Sequence, residues 1–260
     1  MVGVRTKWYT DFFVGVLYNM IPKIIHQTWK TEDIPNNWKH SVNSCIKIHK
    51  GFTYILWTDE KMDRFVSTYY PHFYKIYKSY KYHIQRCDAF RYLVLYKYGG
   101  IYLDMDITCK EKIDTFLHYD LVLSRSSNIK KTFTNSFFMV RPQHDFFKYC
   151  IDNLYENIDT YKNFGKHLHV MHSTGPLFLN NMVNKYGKIE NIYILNNEEF
   201  AGDCNICNEN VCNGGIYFSH VTGQTWNELD SKIYNFLLCN QKKVLVLLIL
   251  LFVIFTFYKV

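Results

Sequence analysis

The sequence has no long block of basic residues, although its 260 residues carry a formal net charge of +7. Its 30 lysines and arginines are scattered, whereas nucleic-acid-binding arms concentrate them. We therefore expect no nucleic-acid partner, and the charge favours anionic ligands or a phospholipid surface. The chain also lacks internal repeats and low-complexity linkers, which predicts one main domain.

Alanine is nearly absent, since it stands only at Ala89 and Ala201, while tyrosine occurs 22 times. We interpret this bias as the mark of an AT-rich genome, so single tyrosines and lysines are weak evidence of function. The hydrophobic content of 48% and the aromatic content of 18% nevertheless predict a globular domain with a substantial core.

A second CxxC pair is also missing, which weakens the case for a zinc site. Cys204, Cys207 and Cys212 lie within nine residues, and His220 follows eight residues later. Thiolates and imidazole suit Zn²⁺, but the paired motif typical of such sites is absent. A plain loop, or one or two disulfides in an oxidising compartment, are the alternatives.

A long uncharged run is present at the C-terminal end. It extends from Val244 to Tyr258, after Lys242 and Lys243. Its fifteen residues are fewer than the roughly 17 to 20 that usually span a bilayer, but flanking lysines can snorkel to the surface. We predict a membrane-anchor helix over 242–260, after an N-terminal extension over 1–20 and the main domain over 21–240. A buried C-terminal helix is the alternative.

Strand patterns alternate with helical patterns along the chain, which predicts an α/β fold. The histidines of HLHVMH, His167, His169 and His172, are predicted to lie in a loop. The predicted strands are Ile24–Ile25, Thr53–Trp57, Ile101–Leu103, Asp120–Ser124, Ser136–Val140, Ile192–Leu195 and Ile216–Ser219. The predicted helices are Glu60–Ser67, Phe73–Tyr80, Ile84–Tyr98, His144–Tyr155 and a helix beginning near Pro176.

Two aspartates, Asp104 and Asp106, follow the predicted strand Ile101–Leu103. Ligands of open α/β sheets bind beyond the carboxyl ends of strands, and the strand period of two would place both side chains on one side. Carboxylate oxygens suit Mg²⁺ or Mn²⁺ bridging to phosphate. An isolated pair of this kind is equally typical of a solvated strand end.

The preceding helix adds two more charged residues to this strand end. Asp88 and Arg91 are three residues apart, hence on one helical face, and the helix leads to the turn Gly99–Gly100. A simple intrahelical ion pair is the alternative. Taken together, four charged side chains are expected at one edge of the sheet.

Three segments occur in a recognisable order: IPKIIHQTWK, YILWTDE and RCDAFRYLVLYKYGGIYLDMD. They resemble glycosyltransferase family 32, the sugar transferases with a DXD motif, and within it the members related to inositol-phosphoceramide mannosyltransferases. The spacing of the four charged residues is also similar to that of the clostridial glucosylating toxins. The resemblance covers about Ile21 to Trp226. It implies a GT-A nucleotide-sugar-binding fold, with a mixed central sheet flanked by helices, followed by the C-terminal hydrophobic helix.

The resemblance implies roles in binding the donor. Trp29 is similar to the aromatic residue that stacks on the nucleotide base, with a core tryptophan as the alternative. Asp88 is similar to the carboxylate that holds hydroxyls of the ribose or donor sugar. Arg91 is similar to the cation near the sugar and phosphate. Backbone contacts to the base are implied for Ile25, His26, Gln27 and Thr28.

The resemblance also implies a metal site for Mn²⁺ or Mg²⁺. Asp106 is similar to the direct metal ligand, and Asp104 to a residue that reaches the ribose or the metal through water. The segment SHVTGQTW implies that His220 binds the metal and that Trp226 covers the diphosphate, with a satisfied strand-end histidine as the alternative. Asn135 is implied to lie beside the donor or acceptor sugar.

The function implied is metal-dependent transfer of a hexose, with mannose favoured, from a nucleotide-diphosphate sugar to a hydroxyl, with retention of configuration. GDP-mannose or a UDP-sugar would be the donor, and a lipid of the inositol-phosphoceramide type, a glycan or a glycoprotein the acceptor. No carboxylate is an obvious nucleophile, so we expect front-face attack assisted by positioning and charge. The alternatives are a metal phosphohydrolase and an inactive sugar-nucleotide-binding membrane protein.

The expected location is a membrane, reached through the single C-terminal anchor. A Golgi-like membrane is favoured, or a host or virion membrane if the protein is viral.

Overall fold

A computed structural model describes residues 20–126, 132–200, 204–205, 211–212, 214–221, 228–246 and 249–250. The strands are β1 (Ile24–Thr28), β2 (Thr53–Trp57), β3 (Gly100–Leu103), β4 (Ile107–Cys109), β5 (Leu121–Ser124), β6 (Phe137–Val140), β7 (Ile192–Leu195), β8 (Cys204–Asn205), β9 (Val211–Cys212) and β10 (Phe218–His220). The helices are α1 (Asn36–Ile48), α2 (Asp59–Tyr69), α3 (Pro71–Ser79), α4 (His83–Tyr98), α5 (Asp145–Leu154), α6 (Lys166–Ser173), α7 (Pro176–Tyr186) and α8 (Leu229–Cys239).

The central sheet has six strands in the order β2-β1-β3-β6-β5-β7. β1 runs parallel to both β2 and β3, and β5 runs parallel to β7. β6 is antiparallel to its neighbours β3 and β5, so it alone is reversed in this sheet. A small antiparallel pair, β4 with β10, lies beside it, and β8 pairs with β9. The predicted mixed central sheet flanked by helices is confirmed.

Alternate residues of the central strands enter two separate hydrophobic clusters, as the strand period requires. Tyr102 and Phe138 pack with α4, α5 and α7 on one face. Ile101, Leu103 and Phe137 pack on the other face, with residues of α1 and of β10. Helix α4 is buried from Cys87 to Leu95, which is why its sequence shows almost no polar face.

The turn from α4 into β3 depends on two glycines. Gly99 ends the helix with φ +63°, and Gly100 opens the strand with φ +99°. A Cβ at Gly100 would lie 2.6 Å from the carbonyl oxygen of Ile24, and one at Gly99 would lie 2.7 Å from the ring of Pro142. A side chain at either position would therefore push β3 away from β1 or from the start of α5.

A disulfide between Cys45 and Cys109 joins α1 to β4. The sequence pattern did not predict this pairing, because the cysteines are 64 residues apart. Cys87 and Cys150 are free and buried. The backbones of Cys204 and Cys212 face each other across β8 and β9, and their side chains lie outside the described residues, as does Cys207.

Two local predictions were wrong. Residues His167 to His172 form helix α6 instead of a loop, because Asp230 of α8 accepts a hydrogen bond from a free N–H in the first turn of the helix, that of His167, at 2.6 Å. Helix α1 was not predicted, although Trp38, Val42 and Cys45 are buried at helical spacing. The distant contacts in the first case and the disulfide in the second supply stability that local pattern does not show.

The predicted anchor over 242–260 lies partly outside the described residues. Residues 241–246 are helical, with most of their side chains exposed. Within the described ranges, the structure has no helix with the length and apolar character needed to traverse a bilayer.

Candidate active site

The four charged residues predicted from the sequence do meet at the carboxyl edge of β1 and β3. Asp104 follows β3, and its N–H donates to the carbonyl of Ser136 at 2.9 Å. The chain then turns at once, since the N–H of Ile107 donates to the carbonyl of Asp104 at 3.1 Å. The two aspartates therefore lie in a turn instead of on one strand face. They are not equivalent: Asp104 is 30% exposed at its side chain, whereas Asp106 is buried at Oδ1.

Arg91 links these residues from the second half of α4. Its Nη2 lies 3.1 Å from Asp88 Oδ1 and 3.2 Å from Asp104 Oδ1. Its Nη1 donates to the carbonyl of Asn135 at 2.7 Å. Burial alone would lower the pKa of Arg91, but Asp104, Tyr102 and Asp88 raise it well above its ordinary value. Arg91 is therefore a fixed positive charge beside Asp104.

Asp88 is occupied by protein partners at both carboxylate oxygens. Asn135 Nδ2 donates to Oδ1 and Thr174 Oγ1 donates to Oδ2, each at 3.0 Å. Burial raises the pKa of Asp88 to about 6, while Arg91 and the two hydrogen bonds oppose that rise. The side chain is only 4% exposed. Asp88 thus joins α4 to the segment before β6 and to the end of α6.

Tyr102 is a site residue that the sequence analysis missed. Its hydroxyl donates to Asp104 Oδ1 at 2.9 Å and lies 3.0 Å from Thr28 Oγ1. The guanidinium of Arg91 lies over its ring, 4.9 Å from the centroid. The signal was present, because Tyr102 stands two residues before Asp104 on a strand and so points to the same side.

Asp106 and His220 are brought together by the pairing of β4 with β10. His220 pairs with Ile107, and the N–H of Val221 donates to the carbonyl of Asp106 at 2.7 Å. Among the residues that the structure describes, Asp106 Oδ1 and His220 Nε2 are buried and find no hydrogen-bond partner. Burial, reinforced by Asp104, raises the pKa of Asp106 to about 8. Burial lowers the pKa of His220, so its imidazole is neutral and able to ligate.

These two orphaned atoms fit part of a site for a divalent cation. A buried carboxylate oxygen and a neutral imidazole nitrogen without partners are costly unless a ligand satisfies them. In the described part of the chain, no three His, Cys, Asp or Glu side chains converge closely enough to hold an ion by themselves. Water and substrate phosphate usually complete the shell of Mg²⁺, so a two-residue protein contribution suits such an ion.

The residues of β1 that were predicted to contact the base mostly make contacts within the protein. Ile25 and His26 are paired on both sides, with β2 and with β3. His26 contacts the carbonyl of Gly99 through Nε2 and accepts from Trp57 Nε1 through Nδ1, both at 3.0 Å. Gln27 accepts from the hydroxyl of Tyr54 at 2.9 Å. The backbones of Ile25 and His26, for which contacts to the base were implied, are thus paired with neighbouring strands, and the side chains of His26 and Gln27 contact the protein itself.

The end of β1 lies closer to the aspartates. Thr28 reaches Tyr102, as described above. Trp29 packs, partly buried, against a small cluster formed by Trp38, Val42 and Met105. Met105 is the residue between the two aspartates, so Trp29 and the aspartate turn border the same hydrophobic cluster. Trp226 lies outside the described residues.

Comparison with known proteins agrees with this arrangement. The sequence profile of the family described as "Glycosyltransferase sugar-binding region containing DXD motif" matches residues 35–123, which include all four charged residues. Inositol phosphoceramide mannosyltransferase 1 of Schizosaccharomyces pombe is 37% identical over 230 residues, which cover 86% of this chain and 68% of the relative. The chain belongs to this family of DXD-motif glycosyltransferases. It is therefore a transferase by family.

Other members of the family are also similar to the chain. Mannosyl phosphorylinositol ceramide synthase SUR1 of Saccharomyces cerevisiae is 41% identical over 167 residues, or 64% of this chain and 43% of that protein. An uncharacterised glycosyltransferase of Acanthamoeba polyphaga mimivirus is 29% identical over 217 residues, or 80% and 84% of the two chains. The chain thus spans between 43% and 68% of these two fungal relatives.

Solved structures show the same fold. The ligand-free glycosyltransferase domain from the YGT toxin aligns with a TM-score of 0.54 at 8% identity, covering 68% of this chain and 80% of that domain. The PaToxG glycosyltransferase aligns with a TM-score of 0.51 at 18% identity, covering 65% and 70%. At such identities the likeness concerns the fold alone, which is that of a GT-A-like DXD-motif glycosyltransferase.

Proposed function

We propose that the protein transfers a hexose, with mannose favoured, from a nucleotide-diphosphate sugar to a hydroxyl of an inositol-phosphoceramide-type lipid. The observation that carries the proposal is the pair of orphaned atoms, Asp106 Oδ1 and His220 Nε2, at the aspartate turn after β3, where the buried Arg91 of α4 contacts Asp104. The names of the fungal relatives support the sugar and the acceptor. The residue roles below are parts of the same proposal.

Arg91 and Asp104 orient the donor. Arg91 is locked by Asp88, Asp104 and the carbonyl of Asn135, so its positive charge needs no rearrangement to meet a phosphate. Tyr102 and Arg91 both hold Oδ1 of Asp104, which leaves Oδ2 for a ribose hydroxyl or a bound water. Trp29 provides an aromatic face for the base.

Asp106 and His220 would hold Mn²⁺ or Mg²⁺, which would supply positive charge against the diphosphate. The proton that burial favours on Asp106 would have to leave when such an ion binds, because the ligand is the carboxylate. Trp226 is assigned to the diphosphate by family resemblance only.

The hydrogen bonding of Asp88 supports a mechanism that retains the anomeric configuration without a protein nucleophile. Because both of its oxygens accept hydrogen bonds and Arg91 neutralises it, Asp88 is poorly suited to attack an anomeric carbon. We propose front-face substitution: the bond from the anomeric carbon to the diphosphate oxygen breaks, and the acceptor oxygen forms the new bond on the same face. The acceptor proton passes to the leaving phosphate. The chain contributes positioning and charge.

The proposed location is a membrane facing an oxidising compartment, such as a Golgi lumen. The Cys45–Cys109 disulfide supports this compartment, because such bonds are rare in the cytosol. The membrane anchor over 242–260 remains part of the proposal.

The test uses the full chain with Mn²⁺, a panel of GDP- and UDP-sugars, and inositol-phosphoceramide or a soluble oligosaccharide as acceptor. We expect a mannosylated lipid by mass spectrometry. A glycan product formed from a UDP-sugar would contradict the proposed donor and acceptor, and would indicate a UDP-sugar transferase that acts on glycans. Nucleotide release without sugar transfer would indicate a phosphohydrolase, and donor binding without turnover would indicate an inactive binding protein.

The matched variants are Asp106→Ala and Asp159→Ala. Asp159 is an exposed carboxylate, 69% accessible, whose Oδ2 lies 3.0 Å from Nζ of the nearby Lys162. We expect Asp106→Ala to lose at least about a hundredfold of turnover, and Asp159→Ala to lose none. Undiminished metal-dependent turnover in Asp106→Ala would contradict the assignment, provided that both variants unfold at the wild-type temperature.

A further inference from the structure

Helix α8 presents an apolar face to solvent. Leu229, Ile233, Phe236 and Leu237 are 72%, 53%, 62% and 46% exposed. Their spacing of four, seven and eight residues from Leu229 places them on one side of the helix. A surface helix of a soluble domain usually turns such a side toward the core, so the orientation of α8 is inverted.

The opposite face of α8 explains the inversion, because it is held on α6 by polar contacts. Asp230 Oδ2 accepts from the N–H of His167 at 2.6 Å, and Ser231 Oγ lies 3.0 Å from His167 Nδ1. The rings of Tyr234 and His167 are 4.8 Å apart. Ser231 is only 1% exposed. The helix is therefore fixed with its apolar side outward.

Helix α6 links the helix that carries this apolar face to the donor site. At the far end of α6, Gln85 Nε2 donates to Ser173 Oγ at 2.7 Å, and Thr174 Oγ1 donates to Asp88 at 3.0 Å. Helix α6 has eight residues, which corresponds to a length of about 12 Å. Whatever covers α8 thus lies roughly one short helix away from Asp88 and Arg91.

The chain that follows α8 indicates what covers it. Leu245, Val246, Ile249 and Leu250 are each more than half exposed, between 53% and 59%. They belong to the uncharged run that ends at Tyr258, and the exposed Lys242 and Lys243 stand between that run and α8. Apolar surface continuous with an apolar tail and flanked by lysines matches a lipid interface with anionic headgroups better than a protein partner.

We propose that α8 lies in the membrane–water interface, with Leu229, Ile233, Phe236 and Leu237 among the lipid chains and Lys242 and Lys243 at anionic headgroups. This element is separate from the anchor over 242–260, since it belongs to the folded domain and is bound to α6. It would hold the donor site at a fixed height over the lipid surface. The docking does not depend on the identity of the sugar or of the acceptor.

The test is photo-crosslinking of the full chain on vesicles of phosphatidylcholine and phosphatidylinositol. Phe236 is replaced by p-azidophenylalanine in one variant, and Tyr234, on the docked face of the same helix, in the matched control. We expect at least about tenfold more phospholipid adduct at position 236 than at position 234, which should instead link to α6 within the chain. Donor-induced thermal stabilisation equal to wild type shows that each variant is folded.

Three other results would overturn the proposal. A dimeric adduct at position 236 would show that a second copy covers the face, and an internal adduct with residues beyond 244 would show that the tail does. Equal lipid labelling at positions 234 and 236 would show that the tail alone brings the protein to the membrane. If the protein transfers no sugar but is crosslinked to lipid at position 236, the proposed function is refuted and this inference stands.

Discussion

The buried His26 should make the protein less stable as the pH falls below neutrality. Burial lowers the pKa of His26 to about 4, from 6.5 in an exposed histidine. The geometry gives the reason: Nδ1 accepts from Trp57 Nε1 and Nε2 faces the carbonyl of Gly99, so a second ring proton would point at the N–H of Trp57. The folded state therefore keeps this ring neutral.

The sign follows from proton binding in the two states. Between pH 6.5 and about pH 4 the unfolded chain binds a proton at His26 that the folded chain excludes. The contribution of His26 to the free energy of unfolding is complete above pH 6.5 and is lost progressively as the pH falls toward 4. Its full size is about 3 kcal/mol.

The measurement is urea unfolding, followed by circular dichroism, at several pH values from about 7.5 to about 4.5. His26→Asn removes the titration and keeps an acceptor for Trp57. Its stability should fall less steeply with acid than that of wild type, although it starts lower because the contact with Gly99 is gone. His144, whose pKa burial also lowers to about 4, contributes to both curves and cancels in the difference.

The control is His72→Asn, at an exposed position on α3, which should follow the wild-type slope. The reasoning would be refuted if the free energies of unfolding of wild type and His26→Asn ran parallel across the whole range. Such a result would mean that the site admits water or a proton when folded.

Two further predictions concern the frame of the site. Replacing Cys45 and Cys109 by serine opens a loop of 64 residues and should lower the free energy of unfolding by about 4 kcal/mol, measured by denaturant titration; an equally stable variant would contradict this. Gly100→Ala should cost at least about 3 kcal/mol, because its Cβ would meet the carbonyl of Ile24 at 2.6 Å, whereas Gly51→Ala, also at positive φ but with open space, should cost about 1 kcal/mol. Equal losses in these two glycine variants would show that backbone strain alone matters.

The central strands and α4 could be predicted closely because local and tertiary signals agree there. β2 and β7 occur with the predicted bounds, and α4 ends at the predicted glycine. Each of these elements is either a short run rich in β-branched and aromatic residues or a long, largely buried helix with a clear stop. The grouping of the four charged residues could also be predicted, since their spacing places them at one strand end.

Features that depend on distant contacts were not predictable in the same way. Helix α6 has a histidine-rich sequence of ordinary helix propensity and depends on Asp230, more than sixty residues away, for its first turn. The Cys45–Cys109 bond joins residues that no local pattern relates. The turn at Met105 separates the surroundings of the two aspartates, whereas a strand period would have made them equal.

The role of Tyr102 shows where pattern reading stops too early. A tyrosine in a chain with 22 of them carries little weight, yet this one orients Asp104 and supports Arg91. Its position two residues before an aspartate on a strand was sufficient to suggest contact. For Asp88, the resemblance implied a ligand role, while the structure adds a set of internal hydrogen bonds.

The reversed strand β6 also has a consequence for the order in which the site is assembled during synthesis. Cys45, Cys109 and the aspartate turn leave the ribosome before Asn135, which follows Cys109 by 26 residues. At about 5 to 20 residues per second that interval lasts on the order of one to five seconds. The covalent link between α1 and β4 is thus free to close while Arg91 and Asp88 still lack Asn135, which stands two residues before β6. The segment that leads into β6 then adds the hydrogen bonds of Asn135, and the hydrogen bond from Thr174 to Asp88 can form only later, because Thr174 is synthesised after β6.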